Sequence, residues 1–250
     1  MAATAAGAQL TEAHRLAQLD INRRALQAML AVWPMLDTAA LNASFPAYSD
    51  TARTVLAAFK AESATTAAAY LRAFREAEGV PGQADVSLMN ALDRQQALTS
   101  LLVTGPVAVK SAIRGGHTVD RAADLALSQT LGATTRLVLQ GGRDTIEHTT
   151  RRDEQAVGWA RVTDGDPCYF CAMLAGRGAV YLSQDSGGFE PHDRCGCEPE
   201  PIYNGQDHKL PGRAGEFSKL WRDSTAGLSG KDARNAFRRA YEAQRRGVTG

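Results

Sequence analysis

Apolar side chains recur at helical spacing through the first 160 residues. Leu16, Leu19, Leu26, Leu30 and Trp33 share one stripe and predict a first helix over 10–33, ended by Pro34. Val55, Phe59, Tyr70 and Phe74 predict a second helix over 51–78, closed by Gly79-Val80-Pro81-Gly82. A third is expected over 86–104, interrupted at Gly105-Pro106 before a short continuation to Arg114 and a turn at Gly115-Gly116. Thr118 can N-cap a helix over 119–139, because its hydroxyl can accept a first-turn amide. Gly141-Gly142 is expected to kink or break that helix, with another following over 144–160. Such stripes read as core contacts, and no function is drawn from them.

The pattern changes at Val162. Residues 162–215 are rich in Gly, Pro, Asp and Ser, with short apolar runs such as Ala179-Val180-Tyr181-Leu182. This predicts a loop-rich module with a β-hairpin or two and little core of its own. Beyond Pro211-Gly212, helices are expected over 215–224 and 230–246, the latter opening on Ser229-Gly230-Lys231-Asp232, a capping box with Asp in place of Glu. The fold class expected is mainly α: a helical domain over 1–160, a small metal-stapled α+β module over 161–215, and a basic helical tail over 216–250.

Composition agrees with that reading. A chain of 250 residues can bury one large core or two small ones, and its 44% apolar and 22% charged content is that of a water-exposed globular fold. Aromatics at 6% and abundant alanine favour helices over a β-sandwich. No apolar run approaches the length of a membrane span, and the first residues lack the basic and apolar regions of a secretory signal.

The net charge of +1 hides a segregation. Residues 161–208 carry three Lys or Arg against eight Asp or Glu, whereas 209–250 carry ten against four. Either the two segments pair with each other or face water, or the tail meets a polyanion such as double-stranded DNA through Arg234, Arg238, Arg239, Arg245 and Arg246.

The chemistry is concentrated in one window. All four cysteines lie in Cys168-x-x-Cys171 and His192-x-x-Cys195-x-Cys197. Two ligand pairs on tight turns can converge on one tetrahedral ion, and thiolate with imidazole is the set that zinc prefers. The five candidates exceed the four positions of a structural site; Cys195 is favoured over Cys197 as the fourth ligand. Arg194, beside the sulfurs, is expected to offset their charge. Two disulfides, or four reduced and metal-free thiols, remain alternatives. A catalytic metal is disfavoured: the half-match to a zinc deaminase lacks His-x-Glu, and Glu147-His148 has the wrong order and spacing. No nucleophile elbow, P-loop or His-Glu-x-x-His occurs, and His14, His117, His148 and His208 read as surface or capping residues.

Asp164-Gly165-Asp166-Pro167-Cys168-Tyr169-Phe170-Cys171, followed by Pro191-His192-Asp193-Arg194-Cys195-Gly196-Cys197, resembles the head-morphogenesis family of tailed bacteriophages. These are minor head proteins typified by protein F of phage Mu, and the actinobacteriophage branch is the most similar. The likeness is specific over 155–203 and looser at Leu10-Thr11-Glu12-Ala13-His14 and Ala69-Tyr70-Leu71-Arg72. Gly196 stands where the family usually has Arg. The resemblance implies a non-enzymatic virion protein in the head or at its base. It would associate with the portal, with the major capsid or scaffold protein, and with DNA, and host cytoplasm would be its place during assembly. Its structural zinc would be held by four of Cys168, Cys171, His192, Cys195 and Cys197. The alternatives are a capsid maturation protease or toxin-like enzyme, and a nucleic-acid-binding zinc module.

Overall fold

Long helices dominate the computed structural model, which describes residues 2–178, 189, 191–205, 210 and 213–248. Helix α1 spans Ala5–Val32, α2 Leu41–Ala77, α3 Arg94–Leu102, α4 Ala108–Arg114 and α5 Val119–Arg152. Strand β1, Ala156–Val162, and strand β2, Glu198–Tyr203, flank helix α6, Tyr169–Ala175. Helices α7, Arg213–Thr225, and α8, Gly230–Val248, complete the described chain. Among the described residues no helix is long and apolar enough to cross a membrane.

The first expected stripe is displaced. Leu16 and Leu30 are about half exposed, while Ile21, Ala25, Met29 and Val32 are buried with His14 and Gln18. The face that meets α2 and α5 therefore carries small and polar residues. Gln18 donates to the Ser63 carbonyl at 3.0 Å and accepts from the Ser63 hydroxyl at 2.7 Å. A leucine count could not find such a face. Helix α2 also starts ten residues before the expected position 51, with Pro46 inside it, because Leu41 and Tyr48 enter the core.

Residues 86–93 form no helix, and α3 starts only where Asp93 caps it. The amides of Ser87 and Met89 donate to the hydroxyls of Thr149 and Thr145, each at 3.0 Å, which fastens this segment to α5. At Gly105-Pro106 the helix does not stop. It widens into a π-turn over Val103–Val107 that joins α3 to α4. The Thr118 cap forms as expected, its hydroxyl accepting the Arg121 amide at 3.3 Å.

The expected break at Gly141-Gly142 is absent: α5 runs through it for 34 residues. The glycines lie where α5 crosses α2. A Cβ on Gly141 would sit 2.2 Å from the Lys60 carbonyl oxygen, and one on Gly142 2.9 Å from the Ser63 hydroxyl. They permit close backbone approach instead of ending the helix.

The helix expected over 144–160 is overturned in its second half. Helix α5 ends at Arg152, where Asp153 accepts the Gln155 amide at 3.0 Å and pairs with the buried Arg75. Gly158 then takes φ 149°, and Val157 and Trp159 extend as β1. This strand pairs antiparallel with β2, from Ala156 opposite Tyr203 to Val162 opposite Glu198, with a bulge near Gly158. It is no local hairpin, since residues 163–197 lie between the partners. The apolar run at 179–182 falls outside the described residues.

One core unites α1 to α5 around Ile21, Met29, Leu56, Leu101, Val109 and Leu137–Leu139. A second joins α6, α7 and α8 through Met173, Phe217, Phe237 and Tyr241. The basic α8 therefore packs through an aromatic face and ties to the acidic segment, with Arg245 pairing to Asp166 at 2.6 Å and the Tyr241 hydroxyl donating to the Pro167 carbonyl at 2.5 Å. Arg238 pairs with Glu242 at 2.7 Å, whereas Arg234 and Arg239 are exposed without an ion pair among the described residues.

His14 is no surface residue. It is 5% exposed, stacks on Tyr70 at 4.4 Å, and neither ring nitrogen has a hydrogen-bond partner. Burial holds its pKa down at about 3, against an ordinary 6.5. Between those values the unfolded chain binds a proton that the folded chain does not, so stability falls as pH drops below 6.5. The loss from pH 7 to pH 5 should be about 2 kcal/mol from this group. Urea midpoints of the native chain and a His14→Phe variant should diverge over that interval; parallel curves would refute the assignment.

Candidate metal centre

The five ligand-type residues come from two places that the fold brings together. Cys168 is the N-cap of α6, and its sulfur accepts the Cys171 amide at 3.4 Å, so both sulfurs sit at one helix start. The second segment turns back on itself where the Cys195 amide donates to the His192 carbonyl at 3.1 Å. Arg194 adopts φ 67° in that turn, the left-handed region that non-glycine residues rarely enter. Docking on α5 holds it there: the Arg194 amide donates to the Gly132 carbonyl at 3.2 Å, and its guanidinium bonds Ser128. A Cβ on Gly132 would lie 3.2 Å from the Arg194 side chain and 3.3 Å from that of Asp193.

The donors converge. His192 Nε2 is 3.1 Å from Cys168 Sγ and 3.4 Å from Cys171 Sγ, and Cys171 Sγ is 3.6 Å from Cys195 Sγ. Two sets, Cys168 with Cys171 and His192, and Cys171 with Cys195 and Cys197, each fall within 4.8 Å, sharing the sulfur of Cys171. Zinc–sulfur bonds of about 2.3 Å in a tetrahedron would place sulfurs roughly 3.8 Å apart. The donor atoms therefore fit an ion of this kind. The Nδ1 of His192 lies 2.7 Å from the Asp193 carbonyl, a contact in which Nδ1 donates its proton and leaves the Nε2 lone pair for the cluster. No disulfide joins the cysteines.

Cys171, Cys195 and Cys197 are buried under Trp159 and Phe189, while His192 reaches the surface. In this setting the thiols share protons unequally. The Cys168 thiol is drawn down to about 4, first by the hydrogen bond from Cys171 and then by His192. His192 rises to about 9 through its contact with the Cys168 sulfur. Cys195 is held low by hydrogen bonds from Cys171 and Cys197 and by the charge of Arg143, and Cys171, which donates to Cys168 and Cys195, is pushed up. Such a set releases protons when an ion takes their place.

The expected role of Arg194 is not met, since its side chain turns away to Ser128. Two arginines that sequence reading missed stand by the sulfurs. Arg143, wholly buried in α5, donates from Nε to the Cys197 carbonyl at 3.0 Å and from Nη2 to the Cys195 carbonyl at 2.5 Å. Arg161, 2% exposed, lies 3.7 Å over the Phe189 ring with Nη1 4.0 Å from Cys195 Sγ. Glu198 is buried beside them, 3.7 Å from Arg143, and burial raises its carboxyl to about 8 despite that neighbour. Arg143 had one available signal: it interrupts the apolar face of Leu139 and Ile146. Of the scattered histidines, His117 and His148 are exposed and outside the cluster, and His208 lies outside the described residues.

Fold and centre together define a mainly helical protein with a Cys/His metal-type cluster seated on one long helix. The chain belongs to the VG15 protein family, a phage family whose model matches residues 5–224 and so includes all five ligand-type residues. It is similar to the Gene 15 protein of Mycobacterium phage D29, 45% identical over 60 residues, which are 22% of this chain and 22% of that protein. The match thus spans less than a quarter of that relative. No solved structure matches this chain.

Proposed function

We propose that the protein is a minor capsid or head-morphogenesis protein of a tailed phage, non-enzymatic, and stapled by one structural zinc ion. The observation that carries the metal reading is the approach of Cys168, Cys171, His192 and Cys195 to within 3.1–3.6 Å along the chain of contacts, from segments twenty residues apart. The family supports the phage setting, and the motif's likeness to minor head proteins supports the head. The ion would crosslink α6 to the 192–197 turn and so fix two segments that the chain connects only through a long intervening stretch. Three sulfurs buried under aromatic rings favour a structural over a catalytic ion, which would need an open position. Cys195, whose sulfur lies 3.6 Å from that of Cys171 and 4.0 Å from Arg161 Nη1, is the preferred fourth ligand and Cys197 the spare thiol. The surface so held would meet the portal protein, with the major capsid or scaffold protein as neighbour. Contact with double-stranded DNA would fall to the exposed arginines of α8, Arg234, Arg238, Arg239, Arg245 and Arg246.

Two measurements test this together. Chain purified under reducing conditions should contain about one equivalent of zinc, and less than about half would reject the staple. Quantitative mass spectrometry of purified particles should find the chain at a few copies per head. Its absence from them would reject the virion assignment.

A further inference from the structure

Arg143 bonds the two carbonyls that bracket Gly196, and it does so from the middle of α5, more than fifty residues away in sequence. Its guanidinium has no exposure, faces the Phe189 ring at 5.2 Å, and lies 3.7 Å from Glu198. Burying a cation is costly unless it is paired and hydrogen-bonded, so its place here calls for a compensating role. The same helix meets the same turn at Gly132, at Ser128 and at Arg136, whose Nε lies 2.8 Å from Asp193 Oδ1. One side of the turn is therefore made by the helical bundle.

We propose that Arg143 is the positioning residue of the metal centre. By fixing the carbonyls of Cys195 and Cys197 in one planar fork, it aims their sulfurs at the pair on α6, and the bundle becomes part of the ligand shell. The centre is then no self-contained zinc knuckle: α5 sets its geometry, and its affinity for metal depends on the crossing that places α5. A planar fork holds two carbonyls in one fixed geometry; an ammonium on a flexible stem imposes no such plane. This inference rests on the metal reading given above.

The test is carried out on the full chain, with Arg143→Lys and Arg143→Met against wild type. Zinc affinity is measured by chelator competition, the cobalt-substituted protein by its thiolate charge-transfer absorption, and helix content by circular dichroism. Outer partners of metal ligands typically govern affinity by about 10- to 100-fold. Arg143→Lys keeps a buried cation of similar bulk; it should retain helix content yet bind zinc about tenfold more weakly, with reduced thiolate absorption on cobalt. Arg143→Met should lose more. Wild-type affinity and absorption in Arg143→Lys would overturn the inference and leave the metal reading intact. A wild-type chain that takes up neither ion would overturn that reading, and the inference with it.

Discussion

Cys171→Ser should release the metal and unfold the segment around it while helices α1 to α5 stay formed. The Cys171 sulfur is common to both donor sets and is 2% exposed, so its loss breaks both sets at once. Its loss also leaves a buried hydroxyl among sulfurs that it had helped to order. Binding to structural zinc sites contributes on the order of 10 kcal/mol to folding in small domains, and here the ion would tie α6, which packs on α7 and α8, to the 192–197 turn. The bundle differs, because its core around Leu56, Leu101 and Leu139 does not include the centre. Hydrogen exchange by mass spectrometry should show β1, α6 and β2 losing protection and α1 and α2 keeping theirs. Unchanged protection across 156–203 would refute the staple. Strong chelation of the native chain should reproduce the pattern.

Gly141→Ala should destabilise the protein by about 2 kcal/mol or more, in the range of overpacked cores. The sign is the informative part. Judged by helix propensity alone, alanine in mid-helix should stabilise by up to about 1 kcal/mol. Packing decides otherwise, since the added methyl would meet the backbone of Lys60 at 2.2 Å, where no side-chain rotation can relieve it. The helices must separate, and separation strains the Gln18–Ser63–Gly142 hydrogen bonds beside the crossing. A urea midpoint at or above that of the native chain would show that the crossing is looser than described.

Most of the helices and the Cys/His residues that come together were legible without coordinates, and for the same reason: both depend on spacing over a few residues. Thr118 caps α5 through its own next turn, and two residues between Cys168 and Cys171 suffice to place both sulfurs at one helix start. The π-turn at Gly105-Pro106, the continuity of α5 through Gly141-Gly142 and the shifted face of α1 were not legible in this way. Each depends on what an opposing helix offers. Gln18 is a core residue only because Ser63 lies across from it, and Leu16 is exposed only because nothing does.

By itself, then, the chain's order of residues determined that long helices would precede a loop-rich Cys/His segment, and which side chains could grip an ion. Tertiary structure alone decided that residues 156–162 pair with 198–203 as strands, that Arg194 reaches away from the sulfurs, and that Arg143 and Arg161 approach them. Local propensity and ligand spacing are short-range terms, written within a turn or two of backbone. The burial of a guanidinium, or the value of a missing Cβ, is set by partners tens of residues distant, and only the assembled packing supplies them.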